Sequence, residues 1–108
     1  MKRAYYLSRE ELDDFVVINI KLSEEVSFLN KAAIKKTLKN IKQNSQVCID
    51  ARSTSYIATD ILEMIQEFAN IRAKEEDIEV RLIGFKTSYQ EYVDFEDSHI
   101  IIAHRRAM

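Results

Sequence analysis

The hydrophobic residues of this chain change their spacing from one segment to the next, and the order of these patterns restricts the fold most strongly. A segment with strand spacing at residues 15–22 is followed by one with helical spacing at residues 28–42. An apolar run at 47–51, a second helical segment at about 60–73 and another strand at 78–85 come next. Strands that alternate with helices are typical of a parallel sheet with helices packed against it. The sequence therefore predicts an α/β fold with two main helices.

The segment 15–22 has the two-residue period of a half-buried strand. The residues on its predicted buried face are Val16, Ile18, Ile20 and Leu22. A shorter strand is predicted at residues 5–7, with a charged turn at 9–14 before the next strand. Because this connection is short, the two strands are expected to pair as an antiparallel hairpin. The prediction is a mixed sheet of four to five strands, in which this hairpin is followed by β-α-β-α-β crossovers.

The segment 28–42 has apolar residues at the spacing of one helical face. They are Ile34, Leu38 and Ile41, with Thr37 on the same side. Much of the remaining surface is occupied by Lys31, Lys35, Lys36, Lys39 and Lys42. Ser27 or Asn30 is expected to cap this helix. The lysine stripe either faces solvent or contacts an acidic partner or anionic lipid headgroups.

The run 47–51 follows a turn at residues 43–46 and is apolar apart from Asp50. Such a run is typical of a central parallel strand that is covered on both faces. Its Cys48 is the single cysteine of the chain and is expected to be a buried small hydrophobe. One cysteine cannot form an internal disulfide bond, which favours a reducing compartment.

The second helical segment has a wide apolar arc. Ile61, Ile65 and Phe68 mark one side of the helix, and Met64 and Ile71 widen the arc. This width indicates that the helix contacts something besides its own sheet.

The start of this second helix lies beyond a strand end, where doubly wound folds carry ligands. Thr59 is expected to be the N-cap, and Asp60 complements the helix dipole. The free amides of the first turn could also hold an anion, a nucleotide phosphate or a phosphorylated hydroxyl. From the residues alone, Thr59 and Asp60 form either a structural cap or a binding site.

The end of the chain has weaker patterns. The strand at 78–85 is predicted to end at Gly84, and residues 88–91 fit a capping box for a short helix at 89–93. The residues from His99 onward form either a last strand or a tail docked on the sheet. A single domain is expected over residues 1–108, with its core at about 15–85 and a C-terminal short helix or strand and tail at 86–108.

Composition excludes several classes of function. Gly84 is the sole glycine, so the chain has neither a P-loop nor a dinucleotide fingerprint. No nucleophile motif or metal-ligand spacing accompanies the two histidines, so no catalytic residue, metal or cofactor is expected. The net charge of −2 argues against nucleic-acid binding. Because no run is long and apolar enough to cross a bilayer, the chain as given is expected to be soluble.

Several short motifs, in the order of these elements, resemble the STAS domain, whose name joins sulfate transporters and anti-sigma factor antagonists. They are VSFLNKAAI at the first helix, VCIDA on the central strand, SYIATDILEMI at the second helix and IEVRLIGF on the next strand. The resemblance covers about residues 15–85. SFLN at 27–30 and DILE at 60–63 resemble in particular the cytoplasmic C-terminal domain of SulP-type anion transporters.

The resemblance implies a non-catalytic regulatory and interaction domain on the cytoplasmic side of the plasma membrane. Its partner would be the transmembrane domain of the same polypeptide, which carries sulfate, bicarbonate or a similar anion, and such domains are commonly dimers. On this interpretation, the candidate contacts with the membrane domain or a second protomer are Lys35, Lys39, Met64, Phe68 and Ile71.

An alternative that the resemblance also implies is a stand-alone partner-switching protein. In the anti-sigma antagonist branch the second helix opens with Asp-Ser-Ser-Gly, and the first serine is phosphorylated. Here the matching residues are Ala58, Thr59, Asp60 and Ile61. Thr59 keeps a hydroxyl at the switch position, but a phosphate there would be repelled by Asp60.

Overall fold

The computed structural model describes residues 3–89 and 100–104. The strands in this part of the chain are β1 (Tyr5–Glu11), β2 (Val16–Leu22), β3 (Glu25–Val26), β4 (Gln46–Asp50), β5 (Tyr56–Ile57), β6 (Glu79–Phe85) and β7 (Ile100–His104). The first helix, α1 (Lys31–Lys39), follows a 3-10 turn at Phe28–Asn30. The second helix consists of α2 (Thr59–Glu67), a π-helical turn (Phe68–Arg72) and α3 (Ala73–Glu75). A further 3-10 turn covers Thr87–Tyr89.

Five of these strands form one mixed sheet in the order β1-β2-β4-β6-β7. β1 runs antiparallel to β2, with Tyr5 opposite Leu22 and Glu11 opposite Val16. The remaining neighbours are parallel: β2 with β4, β4 with β6, and β6 with β7. The predicted fold class, an antiparallel hairpin followed by βαβ crossovers with two main helices, is confirmed.

Both helices pack on the same face of this sheet. The parallel strands follow one another across the sheet in chain order, and right-handed crossovers then place both described helices on one side. On β2 the predicted buried face is confirmed, because Ile18, Ile20 and Leu22 are buried whereas Asn19 and Lys21 are exposed. These residues join Ile34 and Leu38 of α1 and Ile61 and Ile65 of α2 in a single core.

The prediction that the central strand is covered on both faces is wrong for the described residues. Burial alternates along β4, with Val47 and Ile49 buried and Cys48 only half-buried. The cause is again topology, since crossovers in one direction leave the opposite face of the sheet without any of the described helices. Cys48 therefore lies on this helix-free face and not in the core.

The first hairpin is longer than its sequence pattern indicates. β1 extends to Glu11, through most of the predicted charged turn, and the turn itself is closed by a 2.9 Å hydrogen bond from Leu12 N to Phe15 O. β1 is an edge strand, where charged side chains are favoured because they prevent the unpaired backbone groups from pairing with another chain. Apart from half-buried Tyr5, all of its residues are exposed.

Both candidate caps of the first helix act at its start. Ser27 is the N-cap of the 3-10 turn, and its backbone N–H donates to Asn30 Oδ1 over 2.9 Å. Asn30 is buried and is the N-cap of α1. The helix ends at Lys39, three residues before its predicted end, and Asn40 is the C-cap.

The C-terminal part of the chain is described only in pieces. Gly84 is not the end of its strand, because β6 continues through it to Phe85. Of the helix predicted at 89–93, only Tyr89 lies within the described residues, at the end of a 3-10 turn. For the last segment the strand alternative is confirmed at Ile100–His104, which pairs with β6 as β7.

Candidate functional site

The N-cap position of the second helix is occupied by Ala58 and not by Thr59, and no side chain makes a capping hydrogen bond there. Ala58 has extended backbone angles (φ −61°, ψ 144°), and its N–H donates to Val26 O over 2.8 Å. This bond continues the short parallel pairing of β3 with β5, which keeps the chain extended as far as Ala58. The prediction that Thr59 is the N-cap is therefore wrong: Thr59 is the first helical residue, and it is exposed.

Asp60 connects the starts of the two helices. Its Oδ2 lies 3.3 Å from Lys31 Nζ at the first residue of α1. Both side chains are almost half exposed, so this ion pair contributes little to the free energy of unfolding. It does show that the N-terminal ends of the two helices are adjacent, and because each helix connects two parallel strands of the sheet, the helices run in the same direction.

An open groove of about 730 Å³ lies between α1 and the second helix. We call it the helix groove. It is lined by Lys31, Lys35, Leu38, Lys39, Asp60, Glu63, Met64, Glu67, Phe68, Ile71, Arg72 and Glu76. All five residues that the sequence suggests as interface contacts are in this set: Lys35, Lys39, Met64, Phe68 and Ile71. The structure thus brings together candidates from two separate helices.

The apolar candidates differ in how much surface they offer to a partner. Ile71 is 54% exposed and Met64 is half-buried, so both are accessible from the groove. Phe68 is only 5% exposed, which places it in the floor of the groove and in the core of the domain. Its role as a contact residue is therefore limited, and its burial mainly stabilises the packing of the second helix.

The two walls of the helix groove carry opposite charges. Lys31, Lys35 and Lys39 lie on the α1 wall, and Asp60, Glu63 and Glu67 lie on the α2 wall. Within the part of the chain that the structure describes, Lys31–Asp60 is the one ion pair that crosses from wall to wall. The next two residues on each wall are exposed and form no ion pair with another described residue: Lys35 and Lys39 on one side, Glu63 and Glu67 on the other.

Arg72 closes the far end of the groove, and its role was not anticipated from the sequence. Its guanidinium donates to the backbone carbonyls of Leu38 and Ile41 at the end of the first helical segment. It also donates to Glu76 Oε2 over 2.5 Å and lies 5.5 Å from the centre of the Phe68 ring. A cation is favourable at a helix C-terminus, where the last carbonyls lack partners. Arg72 therefore fixes the C-terminal ends of the two helices to each other.

The helix-free face of the sheet carries a second polar cluster, centred on Asp50. Arg52 donates to both carboxylate oxygens of Asp50, with Nη2 to Oδ2 at 2.9 Å, and its backbone N–H donates to Oδ1. These hydrogen bonds hold the pKa of Asp50 below its ordinary value. On the same strand, burial raises the pKa of the Cys48 thiol, and the positive charge of Arg81 opposes this shift.

The lowered pKa of Asp50 predicts an acid-dependent loss of stability. Because the folded state binds this proton less tightly, the stabilisation is present above the ordinary aspartate pKa of about 3.9 and is lost as the pH falls further. The urea midpoint of Asp50→Asn is therefore expected to fall less steeply than that of the natural chain between pH 5 and about 3. Asp14→Asn, at an exposed turn position, is the control and should keep the natural slope. Equal slopes for the natural chain and Asp50→Asn would contradict the prediction.

Neither a comparison with models of known protein families nor a search among curated proteins returned a match. In the described ranges, each helix is too short or too polar to cross a membrane. The fold and the groove therefore define a class of protein, a mixed α/β domain with a charged groove between two parallel helices, and no particular family.

Proposed function

We propose that this chain is a non-catalytic regulatory and interaction domain of a SulP-type anion transporter of the sulfate or bicarbonate class. The observation that carries the proposal is the placement of the two most specific motifs, SFLN and DILE. They begin neighbouring parallel helices, and the Lys31–Asp60 ion pair of 3.3 Å links their first turns. Two motifs that are distant in the sequence thus contribute to one surface.

The helix groove supports an interaction role for that surface. It combines accessible apolar side chains, Met64 and Ile71, with charged rims on both sides. Apolar contacts in the centre and charges at the edge are the usual composition of a protein-binding surface. In the proposed protein the domain lies on the cytoplasmic side of the membrane, attached to the transmembrane domain of the same polypeptide, and acts on transport by binding and not by chemistry.

Fractionation of the natural gene product tests this proposal. The gene that contains this sequence is tagged at its 3′ end in its own host, and membranes are separated from the soluble extract. We expect a tagged polypeptide that remains with the membranes after an alkaline wash and is several times larger than the 12.7 kDa chain. Deletion of the segment encoding residues 3–89 should then lower the uptake of labelled sulfate or bicarbonate. A soluble tagged product close to 12.7 kDa would overturn the proposal.

A stand-alone partner-switching protein is the second candidate function, and the exposure of Thr59 at the first position of the second helix favours it. A phosphate on Thr59 would face the first-turn amides, but the Asp60 carboxylate is on the adjacent residue and would oppose it. The same fractionation separates the two candidates. Phosphate on Thr59 in a soluble product, detected by mass spectrometry, would support the switch.

A further inference from the structure

We infer that one end of this domain lies against the surface of a phospholipid bilayer, with Phe28, Leu29 and Tyr56 inserted among the headgroups. We call these three residues the apolar tip. None of them lines the helix groove. The orientation of the domain on the bilayer rests on the proposed function, whereas the chemistry of the apolar tip does not.

The apolar tip consists of large hydrophobic side chains that protrude into solvent. Phe28 is 61% exposed, Leu29 is 70% exposed and Tyr56 is 51% exposed. Phe28 and Leu29 lie in the 3-10 turn before α1, and Tyr56 lies in β5, which pairs with β3 just before that turn. Val26 and Ile57 on the same two strands are buried, so the core holds the tip in place. Grouped apolar side chains of this kind mark a contact with a protein or a membrane.

The apolar tip lies at the end of the domain where the chain enters it. Tyr5 at the start of β1 lies opposite Leu22 at the end of β2. Ser23 N then donates to Ala4 O over 2.9 Å, and the turn of the apolar tip follows shortly afterwards. In the proposed protein this domain follows the transmembrane domain in the polypeptide, so the chain reaches this end from the membrane. The apolar tip is therefore on the side of the domain that faces the bilayer.

The charges near the apolar tip have both signs. Glu24 and Glu25 are exposed just before the turn. Lys31 follows it, with Nζ 5.8 Å from the centre of the Phe28 ring and 3.3 Å from Asp60 Oδ2. Zwitterionic headgroups, which carry a phosphate and a cation, match such mixed charges, and tyrosine is a typical residue of the membrane interface. A bilayer also receives protruding side chains without a matching pocket, which favours it over a protein partner.

In this orientation the lysine stripe of α1 lies to the side of the contact. The helix begins at the end that faces the bilayer, and Lys31 is its first residue. With a rise of about 1.5 Å per residue, Lys35 lies about 6 Å and Lys39 about 12 Å further from that end. The attraction of a cation to anionic headgroups falls off over about 8 to 10 Å in physiological salt. Binding is therefore expected to depend on the apolar side chains and little on the charge of the lipid.

Flotation of the chain with phosphatidylcholine vesicles tests this inference. A single myristoyl chain binds a bilayer with an association constant of about 10⁴ M⁻¹, and three interfacial side chains bury less apolar surface than such a chain. We therefore expect half of the protein to be bound at a lipid concentration on the order of 1 mM. Phe28→Ser/Leu29→Ser should lower the partition constant by about tenfold or more, because both apolar groups are removed.

The matched control removes two apolar side chains of similar exposure from the opposite end of the domain. Leu12, in the first hairpin turn, is 45% exposed, and Ile71, near the end of the second helix, is 54% exposed. Leu12→Ser/Ile71→Ser should float with vesicles like the natural chain. Equal losses of binding in the two double variants would overturn the inference. A natural chain that stays unbound at about 10 mM lipid would also overturn it and would assign the apolar tip to a protein contact.

The orientation is tested with single tryptophans, since the chain has none. Phe28→Trp should show a blue shift of its emission when vesicles are added, and quenching by lipids brominated on their acyl chains, whereas Leu12→Trp should show neither. Replacing a third of the lipid with phosphatidylglycerol should raise binding by less than about threefold. A larger rise that is abolished in Lys35→Glu/Lys39→Glu would show that the lysine stripe makes the contact, and would overturn the proposed orientation.

The vesicle experiments and the fractionation of the natural gene product can fail separately. Vesicle binding through the apolar tip by a chain whose natural product is soluble would support the tip and overturn the transporter. A natural product that is anchored in the membrane, together with a chain that does not bind vesicles, would overturn the apolar tip and leave the proposed function in place.

Discussion

Gly84→Ala is expected to lower the free energy of unfolding by about 3 kcal/mol. This loss combines the cost of a left-handed backbone for alanine, about 1–2 kcal/mol, with the cost of overpacking, about 1–3 kcal/mol. Gly84 has φ +74° and lies at the register shift between β6 and β7. A Cβ atom there would be 2.4 Å from Arg52 Cγ and 2.8 Å from Arg52 N and Cα. Because two of these three atoms are backbone, a side-chain rotation cannot relieve the contact.

The measurement is a urea titration followed by circular dichroism. With the slope unchanged, a loss of about 3 kcal/mol should lower the midpoint by about 1.5 M. Asn44→Ala is the matched control, because Asn44 also has positive φ (64°) but is exposed. Because asparagine already has a Cβ, this variant adds no new left-handed clash and should cost less than about 1 kcal/mol. Equal losses for the two variants would show that a Cβ at residue 84 meets neither a backbone cost nor Arg52.

The sequence predicts the parts of this fold that depend on regular spacing. The alternation in β2 identifies both the strand and its buried face, and the spacing of Ile34 and Leu38 identifies the inner face of α1. Each pattern is local, because burial against a sheet imposes the period of the element itself. The order of these elements then determines the sheet, since right-handed crossovers leave few arrangements.

Features that depend on distant contacts could not be predicted in this way. The pairing of β3 with β5 involves two residues on each side, too few to show a period, and it moves the helix start from the expected Thr59 cap to Ala58. The only signal was the presence of single apolar residues, Val26 and Ile57, in polar surroundings. Both are almost fully buried.

The helix groove is an intermediate case. The sequence identifies Lys35 and Lys39 on one helix and Met64 and Ile71 on the other as surplus to the core, but it does not indicate that the four residues line one surface. They do so because both crossovers lie on the same face of the sheet. The second helix also contains a wider, π-helical turn at Phe68–Arg72. Beyond this turn, the spacing of an ideal α-helix no longer predicts which side of the helix each residue faces.

Arg72→Met is expected to lower the free energy of unfolding by about 2–4 kcal/mol, since hydrogen bonds to charged groups contribute about 1.5–3 kcal/mol each. The variant keeps a long apolar stem over Phe68 but removes the donors to the Leu38 and Ile41 carbonyls. Leu38 is near the end of α1 and Ile41 lies just beyond it; the Leu38 carbonyl also accepts the Ile41 N–H over 3.2 Å, so the loss of the guanidinium acts mainly on the Ile41 carbonyl. Water can reach part of this half-buried site, which keeps the expected loss below the sum of the separate bonds.

Two further variants show whether the geometry of the guanidinium is responsible. Arg72→Lys keeps the charge but cannot reach both carbonyls in a fixed fork, so it should lose about half as much stability as Arg72→Met. Arg81→Met removes an exposed arginine from the helix-free face and should change the free energy of unfolding by less than about 0.5 kcal/mol. Hydrogen exchange should speed up selectively at amides near Leu38 in Arg72→Met, because the end of α1 would open locally. Equal losses of unfolding free energy in Arg72→Met and Arg81→Met would show that Arg72 does not join the ends of the two helices. The shape of the groove would then depend on core packing alone.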